Sequence, residues 1–281
     1  MIIIREVELL QKIVLSQKRE QRQIGFVPTM GALHAGHLSL LALCKVHTDI
    51  SICSIFVNPT QFNQAADLEK YPRTPKEDQQ ALSAAGCDLL FIPSETEVYP
   101  QGSDHIPLVN LGKLDQVLEG AFRPGHFAGV VQVVSRLLDI TQTNKLFMGQ
   151  KDYQQFAIIR RMIAEQRREV DLMMGPTVRE ADGLAMSSRN VRLSPDFRLK
   201  APLIYNCLQE AKARLGEQSI SAIETHAIDR LKAAGFKPEY FSIVHAHTLE
   251  SVVADDTQSP LVACVAAWAG DVRLIDNLLL N

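Results

Sequence analysis

The densest chemistry in the chain lies at His34-Ala35-Gly36-His37. These residues follow Pro28-Thr29-Met30-Gly31-Ala32-Leu33, which continues the short apolar run Ile24 to Pro28 and leads into Gly36 to Val46, where apolar residues recur with helical spacing. A strand that passes through a glycine-bearing turn into a helix is where open α/β sheets bind ligands. Amides at a helix start carry partial positive charge, glycine lets an anion approach the main chain, and histidines three apart face one way. The chemistry expected is phosphate binding, with imidazole N–H groups stabilising the charge that builds on a transferring phosphoryl group. An isolated pair of this kind also fits two surface histidines beside a helix cap. A second candidate phosphate motif, Met186-Ser187-Ser188-Arg189-Asn190, sets a guanidinium beside two hydroxyls.

The elements that would hold these residues alternate. After the first strand and helix, Ile50 to Val57 reads as a β-branched strand, Pro75 to Ala85 as a helix and Leu89 to Pro93 as another short strand. Phe127 to Asp139 is apolar with helical period, and Lys145 to Met148 reads as a strand. Strands separated by helices predict an α/β fold: a Rossmann-like, doubly wound parallel sheet covered on both faces. Beyond Gly175-Pro176 the texture changes to helical patterns at Pro195 to Leu215 and Ser219 to Ala234, then strand-like Tyr240 to His245, Leu261 to Trp268 and Val272 to Ile275. The expected organisation is a nucleotide-binding domain over residues 1–175 and a smaller α+β domain over 176–281 covering the site.

Bulk properties exclude several classes. The 281 residues suffice for a sizeable core, and 46% hydrophobic with 22% charged residues argues against disorder. A net charge of −3 provides no broad basic field for nucleic acid or anionic membrane. The five cysteines, Cys44, Cys53, Cys87, Cys207 and Cys264, are odd in number and widely spaced, and read as reduced core thiols. Arg5, Glu6 and Glu8 interrupt any signal-length apolar run, and no stretch reaches the roughly 18 apolar residues of a membrane helix. A cytoplasmic protein is expected.

His-x-Gly-His after a strand resembles the signature of the nucleotidyltransferase superfamily that includes the class I aminoacyl-tRNA synthetases. Further motifs appear in order: Phe56-Val57-Asn58-Pro59-Thr60-Gln61-Phe62, Tyr71-Pro72-Arg73-Thr74, Arg123-Pro124-Gly125-His126-Phe127-Ala128-Gly129-Val130, Gly149-Gln150-Lys151-Asp152-Tyr153-Gln154-Gln155 and Asp182-Gly183-Leu184-Ala185 before Met186. With these the chain resembles the pantoate–β-alanine ligase family, densely from Pro28 to Asn190 and more loosely to Arg273-Leu274-Ile275-Asp276-Asn277. The resemblance implies that pantoate attacks the α-phosphate of ATP, giving pantoyl adenylate and pyrophosphate, and that β-alanine then displaces AMP. It also implies Mg²⁺ accompanying ATP, and a homodimer through the large domain.

By that resemblance His34, His37, Lys151, Ser187, Ser188 and Arg189 are the catalytic phosphate contacts. Pro28, Thr29, Met30, Gly31, Gly36, Gln150, Val178 and Met186 belong to the ATP site, and Gly149 and Asp152 to its ribose side. Gln61 and Gln155, with Met30, Arg123 and His126, are similar to the family's pantoate contacts. Asp78 and Glu77 match its acidic pair near magnesium, although Glu77 stands where the family has aspartate. Met148 and Gln150 also depart from the family pattern around Gly149. The histidine motif alone allows two other readings, a nucleotidyltransferase with another acceptor and a nucleotide-binding module without turnover. Gln61 and Gln155 favour the hydroxy acid, and the intact His34, His37, Lys151 and Arg189 favour catalysis.

Overall fold

A computed structural model describes residues 1–62, 68–103, 107–252 and 259–281. The chain divides into two units, the first made of Met1–Leu111, Arg123–Gly149 and Ile158–Pro176, the second of Gly112–Phe122, Gln150–Ala157 and Thr177–Asn281. Among the described residues no helix is long and apolar enough to cross a membrane.

The first unit is built on six parallel strands: β1 (Ile2–Ile4), β2 (Ile24–Thr29), β3 (Ile50–Ile55), β4 (Leu89–Phe91), β5 (Lys145–Gly149) and β6 (Asp171–Gly175). Their order across the sheet is β1-β4-β3-β2-β5-β6. The chain therefore steps one way from β1 to β2, back through β3 to β4, and then across again to β5 and β6. Because parallel crossovers are right-handed, helices α1 (Val7–Arg19) and α2 (Ala35–His47) lie on opposite faces. The sheet is doubly wound, as expected, and its direction reverses beside β2. Pairing runs from Ile24↔Ile50 to Thr29↔Ile55 on one side of β2, and through Gly25↔Lys145 and Phe26↔Leu146 on the other.

Packing fixes α2 on its face. Leu40, Leu41 and Cys44 from α2, and Leu82 from α3 (Pro75–Ala84), cluster with Val27, Cys53, Leu90 and Phe147 of the sheet. Gly25 makes the approach possible, since a Cβ there would lie 2.3 Å from Cys44 Sγ. Two short helices, α4 (Glu95–Val98) and α5 (Glu119–Phe122), precede α6 (His126–Thr141), which buries every residue except Ala128, Arg136 and Asp139. A helix apolar nearly all round belongs inside a fold.

The second unit carries a three-stranded antiparallel sheet, β7 (Lys237–His245), β8 (Leu261–Ala269) and β9 (Val272–Leu279), in the order β7-β8-β9. Helices α9 (Leu203–Arg214) and α10 (Ile220–Ala233) bury Ile204, Leu208, Ile223 and Leu231 with Phe241, Ile243, Val265 and Leu274 from the strands. Its segment Gly112–Phe122 is tied in by Arg273, which donates twice to Glu119 at 2.7 Å and also pairs with Glu239 at 2.7 Å.

Several elements differ from the sequence reading. Pro195 to Leu215 is two helices, α8 (Pro195–Lys200) and α9, because Pro202 lacks an amide and interrupts the helical ladder. The last strand runs on to Leu279, four residues past Ile275. Strands β1 and β6 and the helices α1 and α7 (Tyr153–Glu165) were not marked by the apolar pattern.

Candidate active site

Strand β2 delivers its carboxyl end to the point where the strand order reverses, the place where open α/β sheets bind ligands. The turn beyond it is unusual. Gly31 has φ +82° and Ala32 φ +49°, two successive left-handed residues. For alanine that conformation costs about 1 kcal/mol and persists only where its surroundings hold it. Asp78 is the holder: Oδ2 accepts Ala32 N–H at 2.9 Å, while Oδ1 accepts Leu33 N–H at 2.8 Å and the Thr74 hydroxyl at 3.1 Å. Thr29 Oγ1 donates to Ser54 O at 2.7 Å and accepts Gly31 N–H at 3.2 Å.

The turn places His34 as the N-cap of α2. Nδ1 of His34 accepts Gly36 N–H at 3.1 Å, and Nδ1 of His37 accepts His34 N–H at 3.3 Å, a reciprocal capping box made of two imidazoles. The ring centroids lie 4.1 Å apart. An imidazole whose Nδ1 accepts a backbone N–H carries its proton on Nε2 when neutral. Both rings are thus set as Nε2–H donors at a helix N-terminus, where anions are favoured.

Beside this turn the first unit gathers a second group. Gln61 Nε2 donates to Met30 Sδ at 3.0 Å, and His126 Nδ1 donates to Gln61 O at 2.7 Å, so three of the residues expected at a hydroxy-acid site touch one another. Arg123 O accepts His126 N–H at 3.1 Å and so begins the same turn. What fixes Gln61 is Asn58, a residue whose importance was not evident from the sequence. Asn58 is buried, and its Nδ2 donates to Thr60 Oγ1 at 2.9 Å and to Gly129 O at 3.2 Å; its Oδ1 accepts the Tyr99 hydroxyl at 3.0 Å. Burial pushes that hydroxyl up to about 12, so Tyr99 remains a donor. Gly129 lets α6 close on the turn Pro59–Gln61, since a Cβ there would meet Thr60 O at 2.4 Å.

The two acidic residues differ in their surroundings. Asp78 is buried with all but one lone pair committed to the turn, and Glu77 is exposed. Among the described residues no group of three or more His, Cys, Asp or Glu side chains is placed to hold a metal ion. The structure gives Asp78 the task of shaping the Gly31 to Leu33 turn.

Of the remaining residues, Pro28 and Gly149 lie on strands of the first unit, and the others belong to the second. Gln150, Lys151 and Asp152 form a 3₁₀ turn at the start of α7, with Lys151 half-buried and Asp152 exposed. Of the glutamine pair that follows, Gln154 is structural: its Nε2 donates to Leu114 O at 2.6 Å and Val117 O at 2.8 Å, and its Oε1 accepts Glu119 N–H at 2.9 Å. Gln155 is half-buried. Val178 O accepts Met186 N–H at 3.0 Å and Arg179 pairs with Ala185, which makes a small hairpin ending in Ser187, Ser188 and Arg189. Arg189 N–H donates to Ser187 Oγ at 3.3 Å. On the same hairpin Thr177 Oγ1 and Asn190 Oδ1 are buried without a hydrogen-bond partner among the described residues, the kind of orphan that calls for an explanation.

The first unit is thus a doubly wound sheet with a histidine-capped helix at its switch point. A family model described as pantoate-beta-alanine ligase matches residues 2–279. The chain is similar to the pantothenate synthetase of Pseudomonas fluorescens strain Pf0-1, 44% identical over 280 residues that cover 99% of this chain and 97% of the relative. It is also similar to a crystal structure of pantothenate synthetase from Thermus thermophilus, with TM-score 0.92, 39% identity and coverage of 100% and 99% of the two chains. A pantoate-beta-alanine ligase from Francisella tularensis, solved in complex with beta-gamma ATP and beta-alanine, matches with TM-score 0.83 and 35% identity over 100% of this chain and 98% of that one. The chain belongs to the pantoate–β-alanine ligase family.

Proposed function

We propose that this enzyme joins pantoate to β-alanine at the expense of ATP, through a pantoyl adenylate. The observation that carries the reading is the double histidine cap, which holds two Nε2–H donors at the start of α2, next to the Gln61–Met30–His126 group. In the first step a pantoate carboxylate oxygen attacks the α-phosphorus; the bond from that phosphorus to the bridging oxygen breaks, and pyrophosphate leaves. The carboxylate is already ionised near neutral pH, so the step needs alignment and charge stabilisation rather than a general base. His34 and His37 donate to phosphate oxygens. Lys151 and Arg189 supply cationic donors and Ser187 and Ser188 hydroxyl donors to the same chain of phosphates.

In the second step the β-alanine amine attacks the acyl carbon, AMP leaves with the carbon–oxygen electron pair, and the amine releases a proton. Gln61 and Gln155 hold pantoate, Met30 and His126 shape its pocket, and Arg123 lies at the pocket's border. An amide both donates and accepts, which suits a hydroxy acid without adding charge. Pro28, Thr29, Gly31, Gly36, Gly149, Gln150, Asp152, Val178 and Met186 complete the nucleotide's surroundings. Magnesium would enter with ATP and offset the charge of its phosphates, with Asp78 and Glu77 as the acidic residues nearest to it.

The enzyme is proposed to work in the cytosol as a homodimer, a state light scattering would read directly. The adenylate is tested by isotope exchange. Labelled pyrophosphate should enter ATP when pantoate is present and β-alanine is absent; exchange that ignores pantoate, or none at all, would overturn the adenylate step.

A further inference from the structure

Near its end β9 carries two adjacent buried polar residues, Asp276 and Asn277, that the reaction itself does not use. Neighbouring residues of a strand point to opposite faces, and these two reach opposite ways. Asn277 Nδ2 donates to Gln150 O at 2.9 Å and to Lys151 O at 2.8 Å, while Gln150 Nε2 donates to Asn277 Oδ1 at 3.3 Å. One carboxamide thereby holds the backbone of the turn that bears Lys151.

Asp276 holds the other side. Arg179 donates to its Oδ2 from Nη1 at 2.6 Å and to its Oδ1 from Nη2 at 3.0 Å, a bidentate pair. Arg179 Nη1 also donates to Gly183 O at 3.1 Å, and its guanidinium lies 3.7 Å from the centroid of the Tyr205 ring. Gly183, at φ +95°, leaves no room for a side chain, since a Cβ would sit 2.8 Å from that ring. Its guanidinium is therefore fixed, and its backbone is bridged to Ala185 in the hairpin that ends in Ser187 to Arg189. Asp276 Oδ1 accepts Asn277 N–H at 2.8 Å, which joins the two arms.

We propose that Asp276 and Asn277 form a positioning device that sets Lys151 relative to Ser187, Ser188 and Arg189 within the second unit. Two loops far apart in sequence are tied to one rigid strand, so their donors keep a common frame while phosphate charge moves. The inference rests on the phosphate roles proposed for those four residues. An error of about 1 Å in such placement costs on the order of 100-fold in rate.

The test is a double-mutant cycle on the full-length enzyme, followed by kcat/KM for ATP at a temperature well below unfolding. Asn277→Ala should lower it by about 10- to 100-fold, and Asn277→Ser, which retains a single hydroxyl donor, by less. Lys151→Ala should be impaired on its own, and adding Asn277→Ala to it should cost less than about 3-fold more, because residues acting as a unit are not additive. If Asn277→Ala fails to accumulate as folded protein, the cycle is read with Asn277→Ser. Full activity of Lys151→Ala would overturn the phosphate role of Lys151 and this proposal with it. An impaired Lys151→Ala whose loss multiplies with that of Asn277 would overturn the positioning role alone, as would an Asn277→Ala enzyme within 2-fold of the parent.

Discussion

The backbone N–H of His34 donates to Nδ1 of His37 at 3.3 Å, so the second histidine of the motif caps the helix with one ring nitrogen and keeps its proton on the other. Asparagine can place Oδ1 where Nδ1 stood but has nothing in place of Nε2–H. His37→Asn should keep the cap and melt within about 2 °C of the parent, yet lose at least about 100-fold in turnover, the scale for removing one donor at a developing charge. Steady-state kinetics beside a melting curve checks this. Activity within a few-fold of the parent would reduce His37 to a cap.

Asp78→Asn should act on stability first. The amide would turn an N–H₂ toward a group that donates to Asp78, in a buried setting where charge-assisted bonds contribute about 2 kcal/mol. The expected result is a melting temperature lowered by several degrees, with turnover falling alongside as the Gly31 to Leu33 turn relaxes. A ligand role would show otherwise, as an altered magnesium requirement at unchanged melting temperature.

Asn58→Ala removes the donors that hold Thr60 and Gly129 and frees the turn bearing Gln61. KM for pantoate should rise about 10-fold while KM for ATP stays within about 2-fold, since uniform binding of one substrate is lost. Equal increases for both substrates would place Asn58 outside the acid site.

All five cysteines are buried, and burial pushes the Cys44 and Cys207 thiols up to about 11. The thiolate is the reactive form, and at pH 8 these two are ionised to only ~10⁻³. A raised folded value means protons bind the folded state more tightly, so this contribution to stability is full below the ordinary thiol value of 9.0 and is lost as pH climbs toward 11. Titration with a disulfide reagent at pH 8 should find Cys44 and Cys207 silent in native protein and reactive in denaturant. Prompt native labelling of either would contradict their placement.

The histidine turn was legible because its signals are local: an apolar run, a glycine, and helical period starting one residue past His34. The same holds for the alternation that announces a doubly wound sheet. Helix α1 was harder to see, because exposed Leu9 and Leu15 blur the stripe formed by buried Leu10 and Val14. Asn58, Asp276 and Asn277 were illegible as positioning residues for a different reason. A lone polar residue at the end of an apolar run looks like punctuation until its partner arrives, and Gly129 lies 71 positions from Asn58 while Gln150 lies 127 from Asn277. Asp78 is read by family likeness as a neighbour of magnesium, and what the sequence hid are its hydrogen bonds to Ala32 and Leu33, 46 and 45 positions away.

The most direct measurement is product analysis with purified protein, ATP, magnesium, pantoate and β-alanine. AMP and pantothenate should accumulate in equal amounts, and both should vanish when pantoate is withheld. Absence of AMP, or AMP released equally well without pantoate, would contradict the assignment of the two histidines and their partners to acyl-adenylate chemistry.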